Sequence, residues 1–411
     1  MTGPKGGVVA VTGATATRTP AWRGGFGRLW TAAVVSRFGD ALRTAAMPLL
    51  AASLTDDPLL IAAVTAFGYL PWLLFGLLGG AVADRVDQRR AMWAVDLLRG
   101  ALMGAFALAV RLDHASIALL LGLAFTLTTL QTLFDNAATA LLPSLVPEEA
   151  LGSANARLMT AQQIAGGLVA APVVPVLLVA GAAVPYAADA ATYVLAAALI
   201  ASLRASAPDR APRAGGSTLR AEIAAGLRHL WRDRALRGIC VATTLCNIGM
   251  GALIATLVVH VTVWLDAGDA GYAAVITAFG VGSAAGGLLA RRLAERFGRI
   301  RSVFAAGVVQ TGCLVAVGSV RALWVTIAAM AVFAVMGMVW NVNQTTLMQE
   351  RSPAAMLGRI SSAFRTLAVA GAPLGALAGG AAAAAWGANT PALLAAGLFV
   401  PAVVSLAGLI N

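Results

Sequence analysis

Apolar runs long enough to cross a membrane, one after another with short polar breaks, constrain this chain more than any other feature. A bilayer core about 30 Å thick is spanned by about 20 helical residues. Windows of that length fall at 28–53, 58–82, 91–111, 115–141, 154–180, 184–203, 238–264, 271–291, 301–320, 322–346, 357–381 and 390–410. Twelve such windows in 411 residues, 59% of which are apolar and 11% charged, leave no water-facing shell for a soluble fold. Mean hydropathy is +0.83, which also excludes disorder. An all-α polytopic membrane protein is the expected class.

The net charge of +11 would suit a nucleic-acid binder if the basic residues were pooled, but they fall in short clusters between the runs. Counted on alternate connections, twenty-three Lys and Arg lie on the side of the N-terminus, against Arg111 and Arg321 on the other. Basic residues are retained on the cytoplasmic side, so both termini are expected in the cytoplasm, and no nucleic-acid partner is implied. Cys240, Cys246 and Cys313 each sit inside an apolar run, without metal-ligand spacing. No nucleotide-binding loop, HExxH or GxSxG motif is present, so no enzymatic activity, cofactor or metal is expected.

The longest polar interruption divides six runs from six. The expected organisation is a cytoplasmic tail over 1–26, a first six-helix bundle over 27–203, a linker over 204–237 and a second bundle over 238–411. Within the linker, Leu219, Ile223, Leu227 and Leu230/Trp231 recur at helical spacing, with arginines mostly on the other side, as in a helix lying on an anionic membrane surface or a solvated linker helix. A shift of 206 residues carries Pro147 and Leu151-Gly152 onto Pro353 and Leu357-Gly358, and Gly76 and Gly80 onto Gly282 and Gly286. Parallel repeats of this kind enclose a substrate site at mid-membrane.

Between runs two and three stands Gly80-Ala81-Val82-Ala83-Asp84-Arg85-Val86-Asp87-Gln88-Arg89-Arg90. Gly80 permits close helix approach, Asp84 can accept from a facing helix or pair with Arg, and the arginines hold the loop cytoplasmic. The segment resembles the inner-loop signature of major facilitator transporters. Together with Leu142-Pro143-Ser144-Leu145-Val146-Pro147, Asp189-Ala190-Ala191-Thr192-Tyr193 and Gly371-Ala372-Pro373-Leu374-Gly375-Ala376-Leu377, it resembles the branch of enterobactin-type siderophore exporters and macrolide-efflux pumps. The resemblance implies twelve helices in two pseudo-symmetric six-helix bundles and export of an amphipathic small molecule, a drug or siderophore, in exchange for protons by a monomer in a bacterial cytoplasmic membrane. The span-five Gly-Pro signature of antiporters is reduced here to Gly166-Gly167 and Pro172. A nutrient importer, or a binding or sensory protein without transport, is the alternative.

An ionised side chain at mid-membrane costs at least about 2.5–3.5 kcal/mol, so the buried charges need partners or a function. Asp40 lies three residues from both Arg37 and Arg43, as a coupling residue or a structural ion pair. Asp189 stands alone in its run, and with Asp40 forms the expected pair of proton carriers. Gly80, Asp84, Arg85, Arg89, Arg90, Asp96, Arg99 and Asp135 are assigned to an inner gate. Arg37, Arg43, Gln131, Gln163, Asn247, Trp340, Asn341, Gln344 and Arg365 are the expected substrate-cavity residues, with interhelical hydrogen bonding the alternative for the amides.

Overall fold

The computed structural model describes residues 25–75, 87–147, 150–203, 219–353 and 357–408, all helix and connecting turn. The helices are α1 (Gly25–Leu54), α2 (Pro58–Phe75), α3 (Gln88–Arg111), α4 (Ile117–Leu141), α5 (Leu151–Gln163), α6 (Ala170–Ala180) and α7 (Val184–Ala201). After the linker come α8 (Leu219–Arg232), α9 (Arg234–Val259), α10 (Gly268–Phe297), α11 (Arg299–Ser319), α12 (Leu323–Arg351), α13 (Leu357–Trp386) and α14 (Thr390–Ala407). The first stretch of the inner-loop motif, including Gly80, Asp84 and Arg85, lies outside the described residues.

Among the described residues, ten segments are long and apolar enough to cross a membrane by length and composition. The two expected runs that fall short do so for visible reasons. Every span-length stretch of α1 contains Arg37, Asp40 and a further arginine. The fifth rod is cut into α5 and α6 by a wide helical turn over Ile164–Val169. A turn of this kind carries an extra residue per hydrogen-bonded loop and marks a local kink.

Helix starts follow side-chain chemistry. Asp87 accepts from the Arg90 amide (2.9 Å) to cap α3, and Ser116 from the Leu119 amide (3.3 Å) to cap α4. Asp233 accepts from the amides of Ala235 and Leu236 at 2.8 and 2.9 Å to cap α9. Large apolar side chains remain on the outer surface, Val179 at 91% and Leu288 at 78% exposure, as lipid contact requires.

α7 packs on α1 and α3, α4 on α2 and α3; in the second set α14 packs on α9 and α11, and α12 on α10 and α11. These pairings are equivalent under the 206-residue shift, which moves Val184–Ala201 exactly onto Thr390–Ala407. The sets meet where α2 packs against α13 and α9, and where α6 and the turn before it pack on α10. Ala62, Ala66, Ala255 and Ala376 form one apolar seam at that junction, toward the end carrying the short turns at 55–57, 265–267 and 387–389. That end is called the turn face below, and the opposite end the basic face. α8 packs on α13 and buries Leu230, while Leu227 and Trp231 stay exposed.

Small residues let backbones touch. A Cβ on Gly375 would fall against the Ile248 carbonyl of α9, whereas one on Gly104 would meet open space. Gly375→Ala is therefore expected to destabilise the chain by about 1–3 kcal/mol, with Gly104→Ala close to neutral. Denaturant unfolding in detergent separates the two; equal midpoints would contradict the close packing of α9 on α13.

Candidate functional site

Among the described residues two polar regions occupy the helical rods, one in each set. The first is a buried ionic cluster on α1, α3 and α7. Gly39 and Gly100 make it possible, since a Cβ on Gly39 would collide with Asp189 and Thr192, and one on Gly100 would press on Val194 and the Ala190 carbonyl. With those Cβ atoms absent, the neighbouring charges on α1 and α3 come within reach of α7.

Three donors converge on one oxygen of Asp40. Arg99 approaches Oδ1 at 2.8 Å, Arg43 at 3.2 Å, and the Tyr193 hydroxyl donates to it at 2.5 Å. Arg99 also reaches Asp96 Oδ1 at 3.2 Å and stacks its guanidinium 4.0 Å from the Tyr193 ring centre. Arg43 turns its Nε toward Asp189 Oδ2 at 3.3 Å, an ion pair without hydrogen-bond geometry. Arg99, Asp96 and Asp189 are fully buried. At the edge, Arg99 donates to Gln131 Oε1, and Gln131 Nε2 donates to Asp135 at 2.7 Å. Asp96 Oδ2, Arg99 Nε and Asp189 Oδ2 have no hydrogen-bond partner among the described residues. Low dielectric makes such a cluster sensitive to the loss of any member.

The second region is a cavity of about 680 Å³ lined by α9 to α14. Asn247, Trp340, Asn341, Gln344 and Arg365 line it, beside Phe279, Phe333, Phe364 and Met338. Several of its polar groups are already engaged. The Trp340 indole and the Thr243 hydroxyl both donate to Gln344 Oε1 at 2.6 Å, and Asn247 donates to the Ala368 carbonyl at 2.9 Å. Arg365 and Asn341 are exposed.

The structure groups the expected site residues differently from the sequence reading. Arg43 and Gln131, expected beside substrate, belong to the ionic cluster, as do Asp96 and Arg99, expected at the inner gate. Asp189, which has no cation nearby on its own helix, faces Arg43 of α1. Arg37 stands exposed beside Gly166 in the wide turn and makes no direct ion pair with Asp40. Arg89 donates to the Ala201 carbonyl at 2.5 Å and so caps α7, and Arg90 pairs with Asp87 on the surface at 3.6 Å. The Gln163 side chain lies outside the described residues. Sequence reading missed Tyr193 as a site residue, although its position four residues after Asp189 puts both on one helical face.

Residues 15–410 match the family described as transmembrane secretion effector. An uncharacterized MFS-type transporter of Sinorhizobium fredii is 28% identical over 365 residues, 85% of this chain and 86% of that one. An uncharacterized MFS-type transporter of Mycobacterium tuberculosis is 31% identical over 133 residues, 32% of this chain and 30% of that one. The fold is shared with the crystal structure of the nucleoside transporter NupG, at TM-score 0.70 and 11% identity over 93% of this chain and 99% of that one. It is shared also with a bacterial homologue of the iron transporter ferroportin in an inward-facing state, at TM-score 0.72 and 14% identity over 94% and 98%. With the repeated helix pairing and near-complete coverage of the chain, these matches place the protein in the transmembrane secretion effector family of major facilitator transporters, multi-pass membrane proteins that move small molecules and are not enzymes.

Proposed function

We propose that the chain exports an amphipathic small molecule, a drug or siderophore, across a bacterial cytoplasmic membrane in exchange for protons, as a monomer with both termini in the cytoplasm. The bundles of this reading run over 27–203 and 238–411, joined by the cytoplasmic linker 204–237 and preceded by the tail 1–26. The observation that carries it is the ionic cluster on α1, α3 and α7. Counted over the directly paired groups alone, the arginines Arg43 and Arg99 against the carboxylates Asp40, Asp96 and Asp189 leave one negative charge that one bound proton neutralises, with Asp135 outside that count at the edge beyond Gln131. A buried site that is neutral with a proton and charged without one has the chemistry of a carrier, and Asp40 and Asp189 are the proposed proton-binding groups.

Contacts between the sets at the turn face support a state with access from the basic face. In the outward step the seam opens, and the cavity on α9 to α14 is the proposed substrate compartment. Gly80, Asp84, Arg85, Arg89 and Arg90 are the proposed latch between states, and Asp135 is its link to the cluster through Gln131.

The test is an accumulation and resistance profile, over a panel of drugs and siderophores, of cells expressing the wild type beside Asp189→Asn. The wild type is expected to lower accumulation of at least one amphipathic compound, and collapse of the pH gradient or Asp189→Asn to abolish that effect. Raised accumulation would make the protein an importer, and export indifferent to the gradient would remove proton exchange.

A further inference from the structure

Among the described residues that line the cavity, Arg365 is the one charged side chain. It is exposed on α13, and no hydrogen bond or ion pair ties it to any other described residue. The buried arginines Arg43 and Arg99 present the opposite case, each held by carboxylates. A guanidinium left unpaired in a cavity walled by Phe279, Phe333 and Phe364 has its potential focused by the apolar surroundings. Such a charge is best satisfied by a ligand anion, with which its planar fork makes paired, charge-assisted hydrogen bonds.

The rest of the lining agrees. Of the lining amides, Gln344, Asn247 and Gln310 are engaged with protein groups and Asn341 is exposed, so Arg365 is the lining group that carries charge. A volume of about 680 Å³ suits a drug-sized molecule rather than an inorganic ion. Half-buried Phe279 and Met338 offer apolar surface to an aromatic body, with the lining edges of the buried Phe333 and Phe364 beside them.

We propose that the cavity binds amphipathic organic anions, with the carboxylate or sulfonate on Arg365 and the aromatic body among Phe279, Phe333 and Phe364. The proposal rests on the transporter reading above and narrows its substrate class. It predicts discrimination against neutral and cationic molecules of the same shape.

The test is equilibrium dialysis of the purified full chain in lipid nanodiscs, with empty nanodiscs subtracted. The probes are naphthalene-2-sulfonate, its neutral sulfonamide and 2-naphthylmethylamine. The wild type should bind the sulfonate at least about tenfold more tightly than either analogue, the range expected of one charge-assisted pair. Arg365→Gln should bring sulfonate and sulfonamide within about twofold, and Arg365→Lys, a point charge without the fork, should fall between. Equal wild-type binding of the three probes, or no binding of any, overturns the proposal. So does an anion preference that survives Arg365→Gln, or a variant that loses all three probes alike. Dialysis involves no gradient, so failed proton exchange leaves the anion preference measurable, and a failed preference leaves exchange untouched.

Discussion

Asp40→Asn is expected to abolish proton-driven exchange and to destabilise the chain by about 3–5 kcal/mol, the usual cost of removing one partner from a buried ion pair. The amide keeps the shape of the carboxylate, removes its charge and turns one acceptor oxygen into an NH2 donor. Arg43, Arg99 and Tyr193 all address the same oxygen, so one substitution weakens three contacts. Arg99, fully buried, is then left with Asp96 as its carboxylate. Asp189→Asn removes one contact and should cost less. The combination Arg43→Gln with Asp189→Asn should be less harmful than the sum of the two single changes, since each removes the group that the other leaves uncompensated. Unfolding midpoints in detergent read stability, and substrate exchange by reconstituted vesicles reads coupling. Wild-type stability in Asp40→Asn would show that the cluster is not held together by this carboxylate.

Gly380→Leu should give the second large effect, on the balance between states rather than on the cluster. Gly380 faces Ala62, Leu59 and Pro58 across the contact of α13 with α2, with no room for a side chain. Overpacking such a contact costs about 1–3 kcal/mol. Because that cost falls only on the state closed at the turn face, it shifts the equilibrium toward opening by about tenfold, at about 1.4 kcal/mol per decade. Transport requires both states, so turnover should fall. The direct readout uses Ala66→Cys, a buried seam position, in a chain whose Cys240, Cys246 and Cys313 are replaced by serine. Adding Gly380→Leu should raise its labelling by a membrane-impermeant maleimide about tenfold. Unchanged labelling would mean that the seam does not open.

Much of the fold is legible before any coordinates. The windows at 91–111, 184–203 and 390–410 correspond to α3, α7 and α14, with ends displaced by three residues or fewer. Hydropathy works this well because a helix in lipid satisfies its own backbone, so span length is a local property. The fifth rod was less legible: one apolar run hides the wide turn at Ile164–Val169. In the candidate site, intrahelical spacing located Asp40 beside Arg43, whereas Asp96 and Arg99, assigned to the inner gate, proved to be a pair on one helix. Spacing within a helix carries no information about Arg99 reaching Asp40, or Arg43 reaching Asp189, which join residues far apart in the chain. The adjacent pairs Gly39-Asp40 and Arg99-Gly100 held a usable clue, since a glycine beside an intramembrane charge marks a place where another helix comes close.

The amino-acid sequence by itself determined the helical rods, the repeat, the basic asymmetry of the connections and the identity of the buried charges, all of which follow from chemistry within about 20 residues. Tertiary structure alone decided which charges lie against one another and which one lines the cavity without a carboxylate among the described residues. Arg43, Arg99 and Arg365 look alike in their apolar runs, yet two are enclosed by carboxylates from other helices and the third faces a cavity. The physical reason is that Coulomb attraction at low dielectric depends on distances of a few ångströms, and helix packing sets those distances.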